Sequence, residues 1–206
     1  VTNSDILINM AAGTGQGNLT LRGDGSNGYA QIGHGGARSD GTLGFSEKSG
    51  DITIDKAANI TMTSGSLVVD SYTQIGHGGE SGLGNDGGLP IGAISGAITV
   101  NTAGALTMTG GGITDSYSQI GHGGDFNKGD TTGAIIVSAK GDVAVNAGTG
   151  IDAYAQIGHG GTSTVGLRNG DITVTSVTGG ITVDSSLGGA NSYAQVGHGG
   201  YGASGD

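Results

Sequence analysis

Five times the chain returns to the same phrase. Tyr29 to Gly36 reads YAQIGHGG, and close copies stand at 72–79, 117–124, 154–161 and 193–200. A chain of near-identical units folds as near-identical units, and a unit this small cannot bury an apolar face alone. Stacking the units closes the core. Catalysis needs one asymmetric group of residues, so five equal copies point instead to a scaffold, or to a surface that binds something periodic.

Two short runs precede each copy. The first set is Asp5–Asn9 (DILIN), Asp51–Asp55 (DITID), Ala97–Asn101 (AITVN), Ala134–Ser138 (AIIVS) and Asp171–Thr175 (DITVT). The second is Asn18–Arg22 (NLTLR), Asn59–Thr63 (NITMT), Ala105–Thr109 (ALTMT), Asp142–Asn146 (DVAVN) and Gly180–Asp184 (GITVD). Polar and apolar residues alternate, with Ile, Val and Thr prominent, which predicts half-buried strands. No window sustains an i, i+3, i+4 apolar pattern, so helix is not expected.

The expected fold is an all-β parallel solenoid with three strands per repeat and glycine at the corners. Residues 1–206 form a single repeat array. The histidines at 34, 77, 122, 159 and 198 give five repeats of 37–45 residues. Between 13 and 21 residues separate a histidine from the first apolar residue of the next strand, so loops leave the frame after GHGG. A repeat of 37 residues or more is long for one small coil, which favours two coils per repeat over one large coil carrying a loop. Val137 and Ile157 would then be stacked neighbours. The closing YGASGD resembles the SGD and NGD that lead into Ile52 and Ile172, and no polar cap is recognisable at either end. The chain is therefore expected to be a fragment or protomer of a longer solenoid, associating head to tail through open ends.

Within the motif, Ile32, Ile75, Ile120, Ile157 and Val196 are the apolar anchors. If they point inward, Ala30, Thr73, Ser118, Ala155 and Ala194 share their face. Tyr29, Tyr72, Tyr117, Tyr154 and Tyr193 then lie opposite, with Gln31, Gln74, Gln119, Gln156 and Gln195. The reverse facing would bury a glutamine stack of the cross-β kind; either way the glutamines form a ladder. Two positions before each tyrosine stands Asn27, Asp70, Asp115, Asp152 or Asn191, which suits an Asx-turn. The calcium-binding GGxGxDxUx repeat is absent.

His34, His77, His122, His159 and His198 are the chain's only histidines. They could form a metal ladder or a pH switch, or each could be a corner residue bonding a backbone carbonyl. Two coils per repeat would place successive histidines about 10 Å apart, since parallel strands lie ~4.8 Å apart. Two imidazoles cannot share a metal across that gap with bonds of ~2 Å. No metal or other cofactor is expected.

Composition narrows the partners. Seventeen acidic against seven basic residues give a net charge of −10 without a basic cluster, a poor surface for nucleic acid or anionic membrane. No apolar run approaches the ~20 residues of a membrane-spanning helix. Cysteine is absent, so disulfides and thiolate metal sites are excluded. Arg22-Gly23-Asp24 is an RGD tripeptide, expected by chance in a chain so rich in Gly and Asp.

The Gly-Asp-Ile-Thr-Val strand starts, their Asn/Ala-Ile/Leu-Thr-Met partners and the YAQIGHGG runs resemble repeats of large filamentous haemagglutinin-like proteins. These are Gram-negative surface proteins exported by two-partner or autotransporter routes. The resemblance implies a right-handed parallel β-helix, a cell-surface or extracellular place, and a role as adhesin or fibre shaft. The leading expectation is a structural shaft. The alternative is a periodic surface whose Tyr, Gln or His ladders grip a host or matrix glycan or a metal. Polysaccharide-active enzymes also use β-helices, but they need a local carboxylate group or bases with calcium, so no enzyme is expected here.

Overall fold

A computed structural model describes residues 2–10, 17–25, 28–37, 47–67, 69–80 and 92–205. They build a parallel β-solenoid without helix, in which four five-stranded sheets each take one strand from every repeat. Sheet A holds β1 (Thr2–Asn3), β5 (Lys48–Ser49), β9 (Ile94–Ser95), β13 (Thr131–Thr132) and β17 (Arg168–Asn169). Sheet B holds β2 (Ile6–Asn9), β6 (Ile52–Ala57), β10 (Ile98–Thr102), β14 (Ile135–Ala139) and β18 (Ile172–Ser176). Sheet C holds β3 (Leu19–Arg22), β7 (Ile60–Thr63), β11 (Leu106–Thr109), β15 (Val143–Asn146) and β19 (Ile181–Asp184). The motif strands make sheet D: β4 (Tyr29–Ile32), β8 (Tyr72–Ile75), β12 (Ser118–Ile120), β16 (Ala155–Ile157) and β20 (Ala194–Val196).

One repeat makes one coil, not two. Val137 pairs with Val100 and Val174, while Ile157 pairs with Ile120 and Val196. The two residues lie in different sheets, and the stacking expected of them does not occur. Part of the extra length makes a fourth strand in place of the expected three: where it is described, the chain runs on from GHGG through 125–130 and 162–167 into sheet A. The register slips once, where β6 carries an extra residue at Lys56, a β-bulge with φ of 63°.

Sheets B, C and D turn their alternate residues into one continuous core. Ile52, Ile98 and Ile135 stack within it, as do Met62 with Met108 and Ile75 with Ile120 and Ile157. The isoleucines of sheet D point inward, in company with Ala155. A second cluster of Tyr72, Tyr117 and Tyr154 sits on the opposite face, flanked by Ala37 and Tyr193. Strands that face water on one side alternate buried and exposed; β8, β12 and β16 are buried at every position. That is the signature of a strand covered on both faces.

The corner leading into sheet D is left-handed. Asp70, Asp115, Asp152 and Asn191 have φ of 55–60°, a conformation that Asn and Asp enter more readily than other non-glycine residues. This is why Asx recurs two positions before the tyrosine. Asn27 lies outside the described residues.

Candidate functional site

The motif's polar side chains form three parallel ladders along the solenoid axis. Tyrosine rings stack from Tyr29 through Tyr72, Tyr117 and Tyr154 to Tyr193, with centroids 4.7–4.9 Å apart and planes within 4°. Histidine rings stack in the same way from His34 to His198, also at 4.7–4.9 Å. One coil per repeat brings them to half the separation that two coils would give.

The glutamines form a ladder of a different kind. They do not pair amide to amide; each reaches up to the glycines of the next coil. Gln31 Nε2 donates to the carbonyls of Gly76 and Gly78, both at 2.9 Å. Gln74 donates to Gly121 and Gly123 at 3.0 and 2.7 Å, Gln119 to Gly158 and Gly160, and Gln156 to Gly197 and Gly199 at 2.8 and 2.6 Å. Gln195, in the last coil, turns to His198 O at 3.1 Å.

Each inner histidine is held at both ring nitrogens. The backbone N–H of His34, His77, His122 and His159 donates to Nδ1 of the next histidine at 2.9–3.1 Å. Nδ1 must therefore be unprotonated, and the proton of the neutral ring sits on Nε2. From there it donates across the coil to a carbonyl: His77 to Gly50, His122 to Gly96, His159 to Gly133 and His198 to Gly170, at 2.8–2.9 Å. His34 uses Ser4 O in the same way at 2.7 Å. The ring is thus a strut between the motif and the corner before sheet B.

Protonation has no room in this arrangement. It would break the Nδ1 bond and place cations one rung apart; like charges at ~4.9 Å repel by about 3 kcal/mol at an effective dielectric near 20. Burial holds His122 well below the ordinary imidazole value, with the His159 charge next in weight. Burial lowers His159 to about 4 and also lowers His77. A metal would have to displace one of these bonds, and among the described residues no group of three His, Asp or Glu is placed to hold one.

Glycines in the motif have separate duties. A Cβ on Gly76, Gly121 or Gly158 would fall on the carbonyl oxygen of the next coil's equivalent glycine. A Cβ on the last glycine of the motif would strike the tyrosine hydroxyl of its own coil, as at Gly79 with Tyr72 at 2.6 Å and Gly124 with Tyr117 at 2.5 Å. Tyr and Gly seven positions apart are therefore one packing unit.

The sequence reading missed Gly50, Gly96, Gly133 and Gly170. Their signal was legible: each lies two residues before the first apolar residue of sheet B, with φ of 130–145°. It also missed the gathering of acids at the corner. Burial, then the charges of Asp152 and Asp70, raise Asp115 to about 6. Burial and Asp115 push Asp125 well above the ordinary carboxyl value.

Two surface features complete the picture. An open groove of about 440 Å³ crosses the ends of sheet C, from Arg22 past Gly65, Gly111 and Gly148 to Asp184 and Leu187. Within the RGD tripeptide Arg22 is tied to Asp24 at 3.2 Å. The tyrosine, glutamine and histidine side chains of the three middle coils are fully enclosed, so they are not offered to a glycan from the sides. No known family, curated protein or solved structure matches the chain.

Proposed function

We propose that the chain is a structural solenoid, the shaft of an extracellular adhesin or surface filament of a Gram-negative bacterium. The observation that carries this reading is how the motif's polar groups are used. In the middle coils every Tyr, Gln and His is buried and holds one coil to the next, so the repeated residues serve the length of the rod rather than a ligand. Interlocked side-chain ladders suit a stiff spacer, because bending the rod would shear stacked rings and bidentate glutamine bonds together. The resemblance of the repeats to filamentous haemagglutinin-like proteins supports the extracellular placement. We assign the chain no catalytic role.

Immunogold labelling of intact source cells tests this. An antibody against the folded chain is expected to decorate the outer surface or its filaments. Labelling that appears only after the cells are permeabilised would overturn it.

A further inference from the structure

The groove at the end of sheet C takes its shape from the three middle coils, each of which has a coil on either side. Along one wall stand Thr63, Thr109 and Asn146, paired rung to rung and half-buried on the outward face of β7, β11 and β15. Gly65, Gly111 and Gly148 make the floor. There is no place for a side chain here: a Cβ on Gly111 would fall on Gly65 O, and one on Gly148 on Gly111 O. The far rim is exposed and steps from Ser66 to Thr149 across Gly112, where an added Cβ would lie 3.1 Å from Ser66 Cβ and 3.6 Å from Thr149 Oγ1. Each lining position recurs once per coil, so the groove follows the axis with a repeat of ~4.8 Å.

Its polar groups are unevenly engaged. The backbone is occupied between coils: Gly110 N–H donates to Asn146 O at 3.0 Å, and Gly112 N–H to Gly65 O and Gly150 N–H to Gly111 O at 3.2 Å. An extended peptide would find no open ladder here to join. The side chains are available, since the hydroxyls of Thr63, Thr109 and Thr149 and the amide of Asn146 bond no other described residue. Charge narrows the ligand further. Among the lining residues the one cation, Arg22, is tied to Asp24 at 3.2 Å, and Asp184 adds a carboxylate, so an acidic polymer is repelled.

We infer that this groove binds a neutral, extended, β-1,4-linked glycan lying along the solenoid axis. Such a chain advances by close to one rung per sugar and presents hydroxyls along both edges, where the threonine wall and the exposed rim bond them. The aliphatic faces of the sugars lie over the glycine floor. At about 440 Å³ the groove has the size of a ligand cleft, for which ~300–1,000 Å³ is usual. No aromatic ring is among its described lining residues, so each site is weak, and affinity comes from many sugars engaging many coils at once. The inference rests on the adhesin reading and gives the shaft a ligand along its length.

Cellohexaose and β-1,4-mannohexaose are the probes, titrated to millimolar concentration into the 15N-labelled chain. With at least one of them, amide shifts are expected at Gly65, Gly111 and Gly148, while the amides of sheet B stay in place. Thr109→Val with Asn146→Leu removes two wall groups at outward positions and is expected to weaken binding about tenfold, with unchanged sheet B amides showing that the variant is folded. Thr149→Ala, at an exposed site, is expected to weaken it about threefold. Silence with both sugars, shifts that avoid the groove, or undiminished binding by the variants would each overturn the inference. So would tighter binding of the acidic β-1,4-mannuronate hexamer, or the same shifts from hexathreonine. A silent groove on a chain whose antibody labels the cell surface would sink the glycan site and leave the shaft reading standing.

Discussion

At the scale of the residue, histidine carries the least expected assignment. It sits in a glycine-rich corner, where a surface role would be natural, yet in the middle coils its ring is buried and both nitrogens are occupied. Depressed imidazole values mean that the folded state resists protons that the unfolded chain takes up near 6.5. The stabilisation they mark is complete above that value and is lost as pH falls toward about 4. Asp115 works in the opposite sense: its raised value means a buried carboxylate is disfavoured, so its contribution falls as pH rises from 3.8 through about 6. Bulk stability mixes the two, but the rings can be followed separately. Imidazole 15N shifts are expected to show the Nε2–H tautomer for His77, His122 and His159 at pH 7, with His159 titrating near 4 and His77 and His122 below the ordinary imidazole value. Titration of these rings at 6.5 would mean that the struts do not exist.

At the scale of the element, sheet D depends on a column of glycine as much as on its isoleucines. Gly76, Gly121 and Gly158 let successive backbones approach so closely that a methyl group has nowhere to go. Gly121→Ala is expected to destabilise the chain by about 3 kcal/mol, since overpacking against rigid backbone cannot relax by a rotamer change. Gly180 has open space around its Cβ position, and Gly180→Ala should stabilise by about 0.4–1 kcal/mol by restricting the unfolded chain. Urea midpoints of the two variants check both signs. The strands of sheets B, C and D were legible because alternation over four or five residues leaves a clear trace. Sheet A was not, since two residues are too few for a period. Its paired positions Lys48, Ile94, Thr131 and Arg168 also share no chemistry. The Tyr–Gly pairing seven positions apart was visible as conservation of spacing within the chain. It could not be understood until the hydroxyl was seen against the glycine.

At the scale of the whole molecule, the open question in the sequence was the number of coils. Repeat length could not answer it, because 37–45 residues hold either two small coils or one coil with a second layer. What decides is the pairing: each strand bonds directly to its equivalent in the next repeat, which leaves no place for a second coil between them. Length then follows directly. Thr20, Thr61, Thr107, Ala144 and Thr182 are successive rungs of sheet C, so four steps separate the first from the last.

The most direct test of this account is a distance along the axis. With Thr20→Cys and Thr182→Cys in one chain, spin-labelled and diluted into unlabelled protein, double electron–electron resonance reads the rise across all five coils. One coil per repeat predicts about 19 Å between the labelled backbone positions, broadened by the label arms, from four steps of ~4.8 Å. A separation near 38 Å would mean two coils per repeat and would contradict the stacked ladders on which the account stands.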